Sequence, residues 1–103
     1  STHCISSAAS DVYKRQVKAL GGVAYKFVSP GNVGVPDRVV VLPGGRVIFV
    51  ELKAEVGRLS PMQRQQLARL RRLGADAREV KSETGVARFL EDCCNRLEGG
   101  DAQ

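Results

Sequence analysis

Asp37, Glu51 and Lys53 are the residues whose types and spacing could do chemistry, and they stand around one hairpin signal. Two β-forming runs, Arg38-Val39-Val40-Val41-Leu42 and Arg46-Val47-Ile48-Phe49-Val50, meet at Pro43-Gly44-Gly45, a tight-turn sequence. With those three residues as the loop, Leu42 pairs with Arg46, Val41 faces Val47, Val39 faces Phe49 and Asp37 faces Glu51. Directly opposed residues share a face, with Cβ atoms about 4.5–5.5 Å apart, so two carboxylates placed this way repel each other. Lys53, two residues beyond Glu51, points to that same face. The second run is apolar on both faces, the pattern of a central strand, where a charge at the end is costly to bury without a partner. A divalent cation between the carboxylates is the simplest resolution. The plainer alternative leaves Asp37 and Glu51 solvated at the sheet ends, with Lys53 or Arg38 in ordinary surface ion pairs.

The wider pattern narrows this choice. Gly34-Val35-Pro36-Asp37-Arg38, Pro43-Gly44-Gly45-Arg46-Val47 and Phe49-Val50-Glu51-Leu52-Lys53 together resemble the virus-type replication-repair nuclease (VRR-NUC) family, a branch of the PD-(D/E)xK nuclease superfamily. The likeness extends upstream through Gly21-Gly22, Lys26-Phe27 and Ser29-Pro30-Gly31 and downstream to Gln63 and Leu70, covering residues 17–90. The resemblance implies an α/β fold with a restriction-endonuclease-like core, in the order α-β-β-β-α-β-α, its mixed four-stranded sheet flanked by helices. It implies that Asp37, Glu51 and the backbone carbonyl of Leu52 hold Mg²⁺ or Mn²⁺, and that Lys53 and Gln63 complete the catalytic set. The implied activity is metal-dependent endonucleolytic hydrolysis of DNA phosphodiesters, structure-specific in the manner of Holliday junction resolvases, in phage or bacterial DNA replication or repair. The implied partners are branched or junction DNA and a second copy of the chain, as a homodimer. Two other readings stay open: a catalytically weak or inactive DNA-binding module of the same fold, and a nuclease domain that needs a partner for targeting.

One family feature is missing. Members of the family carry a glutamate early in the first helix that assists metal binding, and the matching position falls near Ile5. No glutamate precedes Glu51 anywhere in the chain. Asp11 is the only early acid, at the wrong spacing, and His3 reads as solvated.

Composition sets the frame for this chemistry. The chain has 103 residues, enough for one small domain over 1–103, and a hydrophobic fraction of 43% is ordinary for a globular chain. No apolar run approaches membrane-spanning length, so no membrane partner is expected. Three cysteines, two of them adjacent at Cys93 and Cys94, form neither a disulfide framework nor a metal-ligand spacing. They suit a reducing compartment, and the expected location is the cytoplasm of a bacterial or phage-infected cell. A net charge of +5 points to a polyanionic partner, and the absence of tryptophan argues against a base-stacking platform.

The elements that must position Asp37, Glu51 and Lys53 follow from periodicity. Residues 1–11 lack helical or strand patterning and read as a non-native or disordered leader. Tyr13, Val17 and Leu20 have helical spacing, closed by Gly21-Gly22, and residues 23–28 read as a first strand. Ser29 to Gly34 is a turn-rich loop delivering the chain to Pro36-Asp37. Ser60-Pro61-Met62-Gln63 is a capping box with proline at the first helical position, which gives Gln63 a structural role whether or not it serves the site. Leu67, Leu70 and Leu73 give that second helix an apolar stripe ending at Gly74. Its other faces carry Arg64, Arg69, Arg71 and Arg72, with Arg58 just before, and no acid stands among them. With Arg38 these are the candidate phosphate contacts, the alternative being a solvated basic face. Residues 77–81 read as a fourth strand paired in parallel with the hairpin, because a helix intervenes. Val86, Phe89, Leu90, Cys93 and Leu97 define a last amphipathic helix, with 98–103 as a frayed tail.

Overall fold

A computed structural model describes the backbone of residues 7–100 and the side chains of residues 8–95. The elements run α1 (Ser7–Ala19), β1 (Val23–Lys26), β2 (Arg38–Leu42), β3 (Arg46–Lys53), α2 (Pro61–Arg72), β4 (Asp76–Lys81) and α3 (Ser82–Gly100). This is the α-β-β-β-α-β-α order, and the four strands form one sheet in the order β1-β2-β3-β4. β1 and β2 are antiparallel, as are β2 and β3, whereas β3 and β4 are parallel, so the sheet is mixed.

The hairpin has the register that its loop dictates. Leu42 pairs with Arg46, Val41 with Val47 and Val39 with Phe49. Gly44 and Gly45 both take positive φ, 88° and 79°, which only glycine adopts without strain, and Gly45 N–H donates to the Leu42 carbonyl at 3.2 Å. β3 is central, with β2 on one side and β4 on the other.

Alternation then sorts the sheet into two faces. Val40, Leu42, Ile48, Val50, Leu52 and Val80 pack into one core with Tyr13 and Val17 of α1 and with Val86, Phe89 and Cys93 of α3. The opposite face carries α2. Its buried Leu67 lies on that side, and Arg71 Nε donates to the Ala77 carbonyl at 2.8 Å, fixing the helix on β4. α2 starts at the capping box: Ser60 Oγ accepts from Gln63 N–H at 3.1 Å, and Gln63 Oε1 accepts from Ser60 N–H at 2.8 Å. It ends at Gly74 with φ of 90°, whose N–H donates to the Arg71 carbonyl, while Ala75 N–H reaches back to Leu70.

Element boundaries differ from the sequence reading chiefly at α1, β1 and α3. α1 begins at Ser7, and Ala9 and Ser10 are buried, so 7–11 belongs to the packed domain instead of a leader; positions 1–6, including His3 and Ile5, lie outside the described residues. Small residues carry no large-apolar periodicity, yet they suit a helix pressed closely on another, here α3. β1 stops at Lys26, although Phe27 N–H still donates to the Asp37 carbonyl at 2.8 Å. α3 remains helical to Gly100 because each added residue gains a backbone bond to the preceding turn; 101–103 lie outside the described residues.

Candidate active site

The site is built at one end of the sheet, where β2 begins and β3 ends. Asp37 immediately precedes β2, and continuing the register from Arg38↔Val50 places it opposite Glu51. Glu51 and Lys53, in the last turn of the β3 pleat, are only 5% and 3% exposed. Such burial is rare for either residue unless it is partnered. Lys53 Nζ lies 3.9 Å from Glu51 Oε2, an ion pair that is too long for a hydrogen bond.

Electrostatics at Glu51 follow from this crowding. Its carboxyl is pushed up to about 7, first by burial and then by the negative charge of Asp37, with a smaller push from Glu79. Lys53 and a hydrogen bond from the Asp37 backbone act against this rise without cancelling it. Asp37 Oδ1 is buried without a hydrogen-bond partner. Two mutually repelling carboxylates, one with an orphaned oxygen, form a hard-oxygen donor set that fits a divalent cation. The Leu52 carbonyl lies beyond the last β2–β3 pair, where Pro36 has no N–H to offer it. Among the described residues no third acidic, His or Cys side chain completes a metal cluster, so Asp37 and Glu51 are the charged members of the set.

Gln63 has two roles in one side chain. Its carbonyl oxygen closes the capping box, and its amide Nε2 lies 3.5 Å from Glu51 Oε2. The cap therefore holds the amide toward the site. The loop before β2 supports this placement. Gly34 has φ of 86°, and a Cβ there would lie 2.6 Å from the Met62 backbone carbon and 2.9 Å from Gln63 N. Only glycine permits that approach, and Gln66 Nε2 donates to the Val33 carbonyl at 3.3 Å on the same side.

The candidate phosphate-contacting arginines do not converge. Arg58, Arg64, Arg69, Arg71 and Arg72 are exposed and make no ion pair among the described residues. Arg64 sits near the site, one residue after Gln63, whereas Arg69, Arg71 and Arg72 follow toward the far end of α2. At about 1.5 Å of rise per residue the series spans about 12 Å, the reach of a track along a backbone more than of a single clamp. Arg71 also spends its Nε on Ala77. Arg38 is partly buried on the face that packs against α1 and α3, with Nε unpartnered.

Two neighbours of the site escaped the sequence reading. Glu79 pairs with Glu51 in the parallel ladder, and Lys81 pairs with Lys53. No spacing signal marks them, because a parallel register is set by the crossover through α2 and not by a turn. Arg78, just before Glu79 and on the other face, is consumed structurally by Asp76 at 2.8 Å, Asp92 at 2.5 Å and the Phe89 ring.

A pH effect follows from Glu51. Its folded-state pKa lies above the ordinary carboxylate range, so the folded chain holds a proton that the unfolded chain releases. Without metal, stability is therefore greatest below about pH 4.5 for this group and declines as pH rises toward 7, by up to about 3 kcal/mol. Thermal unfolding between pH 5 and 8 should show this decline in wild type and a flatter profile in Glu51→Gln. Mn²⁺ at pH 8 should restore the lost stability in wild type only.

Comparison with known proteins agrees with this geometry. The VRR-NUC domain model matches residues 5–84. A solved structure described as a VRR_NUC domain superposes with a TM-score of 0.75 at 34% identity, covering 82% of this chain and 91% of that one. "Putative nuclease p44" of Acyrthosiphon pisum secondary endosymbiont phage 1 is 56% identical over 59 residues, or 57% of this chain. The match spans 63% of that relative's length. With its sheet order, its hairpin register and its Asp37–Glu51–Lys53 end all in place, the chain belongs to the VRR-NUC domain family.

Proposed function

We propose that the protein is a metal-dependent nuclease that hydrolyses DNA phosphodiester bonds at the Asp37–Glu51–Lys53 end of the sheet. The observation that carries this reading is a buried lysine 3.9 Å from a buried glutamate that also faces a second carboxylate. Asp37, Glu51 and the Leu52 carbonyl would hold Mg²⁺ or Mn²⁺. When bound, such an ion acidifies a coordinated water and stabilises charge on the scissile phosphate. The chain's own groups do the rest. Lys53, shielded from bulk water, offsets negative charge developing on the phosphate more strongly than an exposed lysine would. Gln63, held by its own helix cap, orients the Glu51 carboxylate from the α2 side. The arginines along α2 contact flanking phosphates and carry no base specificity. In its finer form, two copies of the chain act together on branched or junction DNA, as the family resemblance implies.

The second reading, a binding module with little or no activity, draws on the absence of any glutamate before Glu51. A metal-titrated cleavage assay on four-way junction, flap and plain duplex separates the two. The nuclease reading expects cleavage that rises with metal, at lower concentrations of Mn²⁺ than of Mg²⁺, since Mn²⁺ binds such sites more tightly. Junction binding with no cleavage at any metal concentration would leave the binding module standing.

A further inference from the structure

The parallel ladder sorts charge by rung. Glu51 pairs with Glu79, and one side-chain period further out Lys53 pairs with Lys81. Paired residues share a face, so the carboxylate row is followed, at the open end of the strands, by a row of two ammonium groups. Like charges placed directly opposite each other destabilise a sheet, and an anion beside them removes that cost. Lys53 is buried and has its counter-charge in Glu51, 3.9 Å away. Lys81 is half-buried, and its ammonium makes no ion pair among the described residues.

Position across the sheet says which anion Lys81 can reach. Asp37 stands at the start of β2, Glu51 and Lys53 on β3, and Lys81 at the end of β4. Two strand spacings, about 9–10 Å, therefore separate Lys81 from Asp37 across the sheet. A phosphate over Asp37 and Glu51 falls to Lys53, and Lys81 is placed for the next one along the same strand. The end of β4 is sharply set. Ser82 follows with φ of 64°, the one positive value at a non-glycine residue among the described residues, and starts α3 with no intervening loop. Lys81 also borders a groove of about 680 Å³ at the β4 edge of the sheet, shared with Ser82, Thr84 and Arg88. Glu55 and Glu79 line that groove too, so its mixed charge does not suit a polyanion along its whole length. The contact is a local one, between one phosphate and one lysine.

We infer that Lys81 is a substrate-binding residue that holds the phosphodiester next to the scissile one on the cleaved DNA strand. This rests on the proposed nuclease reading, which puts the scissile phosphate at Asp37, Glu51 and Lys53. A lysine ammonium is a compact charge with rotatable donors, so it grips a phosphate and reads no base. Losing one such charge-assisted hydrogen bond lowers the rate at low protein concentration about 10–100-fold.

The test uses the full chain in Mn²⁺ and whichever of four-way junction, flap and plain duplex is cleaved fastest, with the cut position mapped first. Single-turnover rates are read at subsaturating protein. Lys81→Met keeps the stem and removes the charge. It should cleave about 10–100-fold more slowly, and unfold at or above the wild-type temperature because the charge opposite Lys53 is gone. A neutral methylphosphonate placed one linkage from the cut, on each side in turn, removes one phosphate charge. On one side it should slow wild type by a similar factor and leave Lys81→Met unchanged, since that contact is already lost. Equal rates in Lys81→Met and wild type, with Asp37→Ala inactive, overturn the inference alone. Additive losses from Lys81→Met and the methylphosphonate on both sides overturn it too, because Lys81 then touches neither neighbouring phosphate. A lower unfolding temperature in Lys81→Met, with the methylphosphonate effect intact, makes the residue structural. No cleavage of any of the three DNAs by wild type removes the nuclease reading and this inference with it.

Discussion

Asp37→Ala and Glu51→Ala each reduce DNA cleavage by at least about three orders of magnitude while the fold persists. The size follows from what the carboxylates are asked to hold. A divalent cation contributes several kcal/mol of charge stabilisation at a scissile phosphate, and each 1.36 kcal/mol is a factor of ten in rate. The persistence of the fold follows from the electrostatics without metal. Glu51 is held against its preferred ionisation by burial and by Asp37, so removing either carboxylate relieves repulsion, although removing Glu51 also leaves buried Lys53 without its ion-pair partner. Metal-free thermal stability above pH 7 should therefore hold or rise in Asp37→Ala, whereas in Glu51→Ala the relief is offset by the unpaired Lys53 and stability should fall modestly with the fold retained. Circular dichroism and single-turnover cleavage in Mg²⁺ and Mn²⁺ check the two halves separately. Near-wild-type cleavage by either variant would remove the site assignment. A loss of cleavage accompanied by unfolding would make the residue a structural one.

Lys53→Met lowers the cleavage rate about 10²–10³-fold, with DNA affinity changed far less. Methionine keeps most of the buried stem and removes the ammonium, so the comparison isolates charge. The magnitude is that of losing one preorganised group aimed at developing charge in a water-poor site. At 3% exposure Lys53 has no route to a distant phosphate, so its contribution to ground-state DNA binding is small beside that of the exposed arginines on α2. Binding measured without metal, and single-turnover rates measured with it, separate the two effects. Equal losses in affinity and rate would reduce Lys53 to one more phosphate contact. An unchanged rate would leave its burial explained by Glu51 alone.

The N-terminal helix qualifies both expectations. α1 starts at Ser7 and buries Ala9, Ser10, Tyr13 and Val17. A deletion through residue 11 therefore cuts into packed helix and not into an unattached leader. The position at which the family resemblance expects an early glutamate, near Ile5, lies outside the described residues. The charge available to a cation from the described part of the chain is that of Asp37 and Glu51.

The sequence by itself determined what depends on near neighbours. A Pro-Gly-Gly loop between two β-forming runs leaves one register, and counting from it puts Asp37 against Glu51 and sends Lys53 to their face. Ser60 and Gln63, three residues apart, are enough to start α2. These interactions close short loops, so turn chemistry and side-chain alternation outweigh the alternatives before any distant surface is met. Tertiary structure decided what depends on distant surfaces meeting. The parallel register that sets Glu79 beside Glu51 comes from how α2 seats on β4. The spare amide of Gln63 reaches Glu51 only because α2 lies over that face, and Gly34 lets the preceding loop close onto its first turn. Tyr13 looked like one position of an apolar stripe; only the packing of α1 into the main core buries its hydroxyl without a hydrogen-bond partner. The physical reason is common to all three. Period and turn type specify which face a residue joins, whereas a neighbour across the fold is fixed by how whole faces pack, which no local pattern encodes.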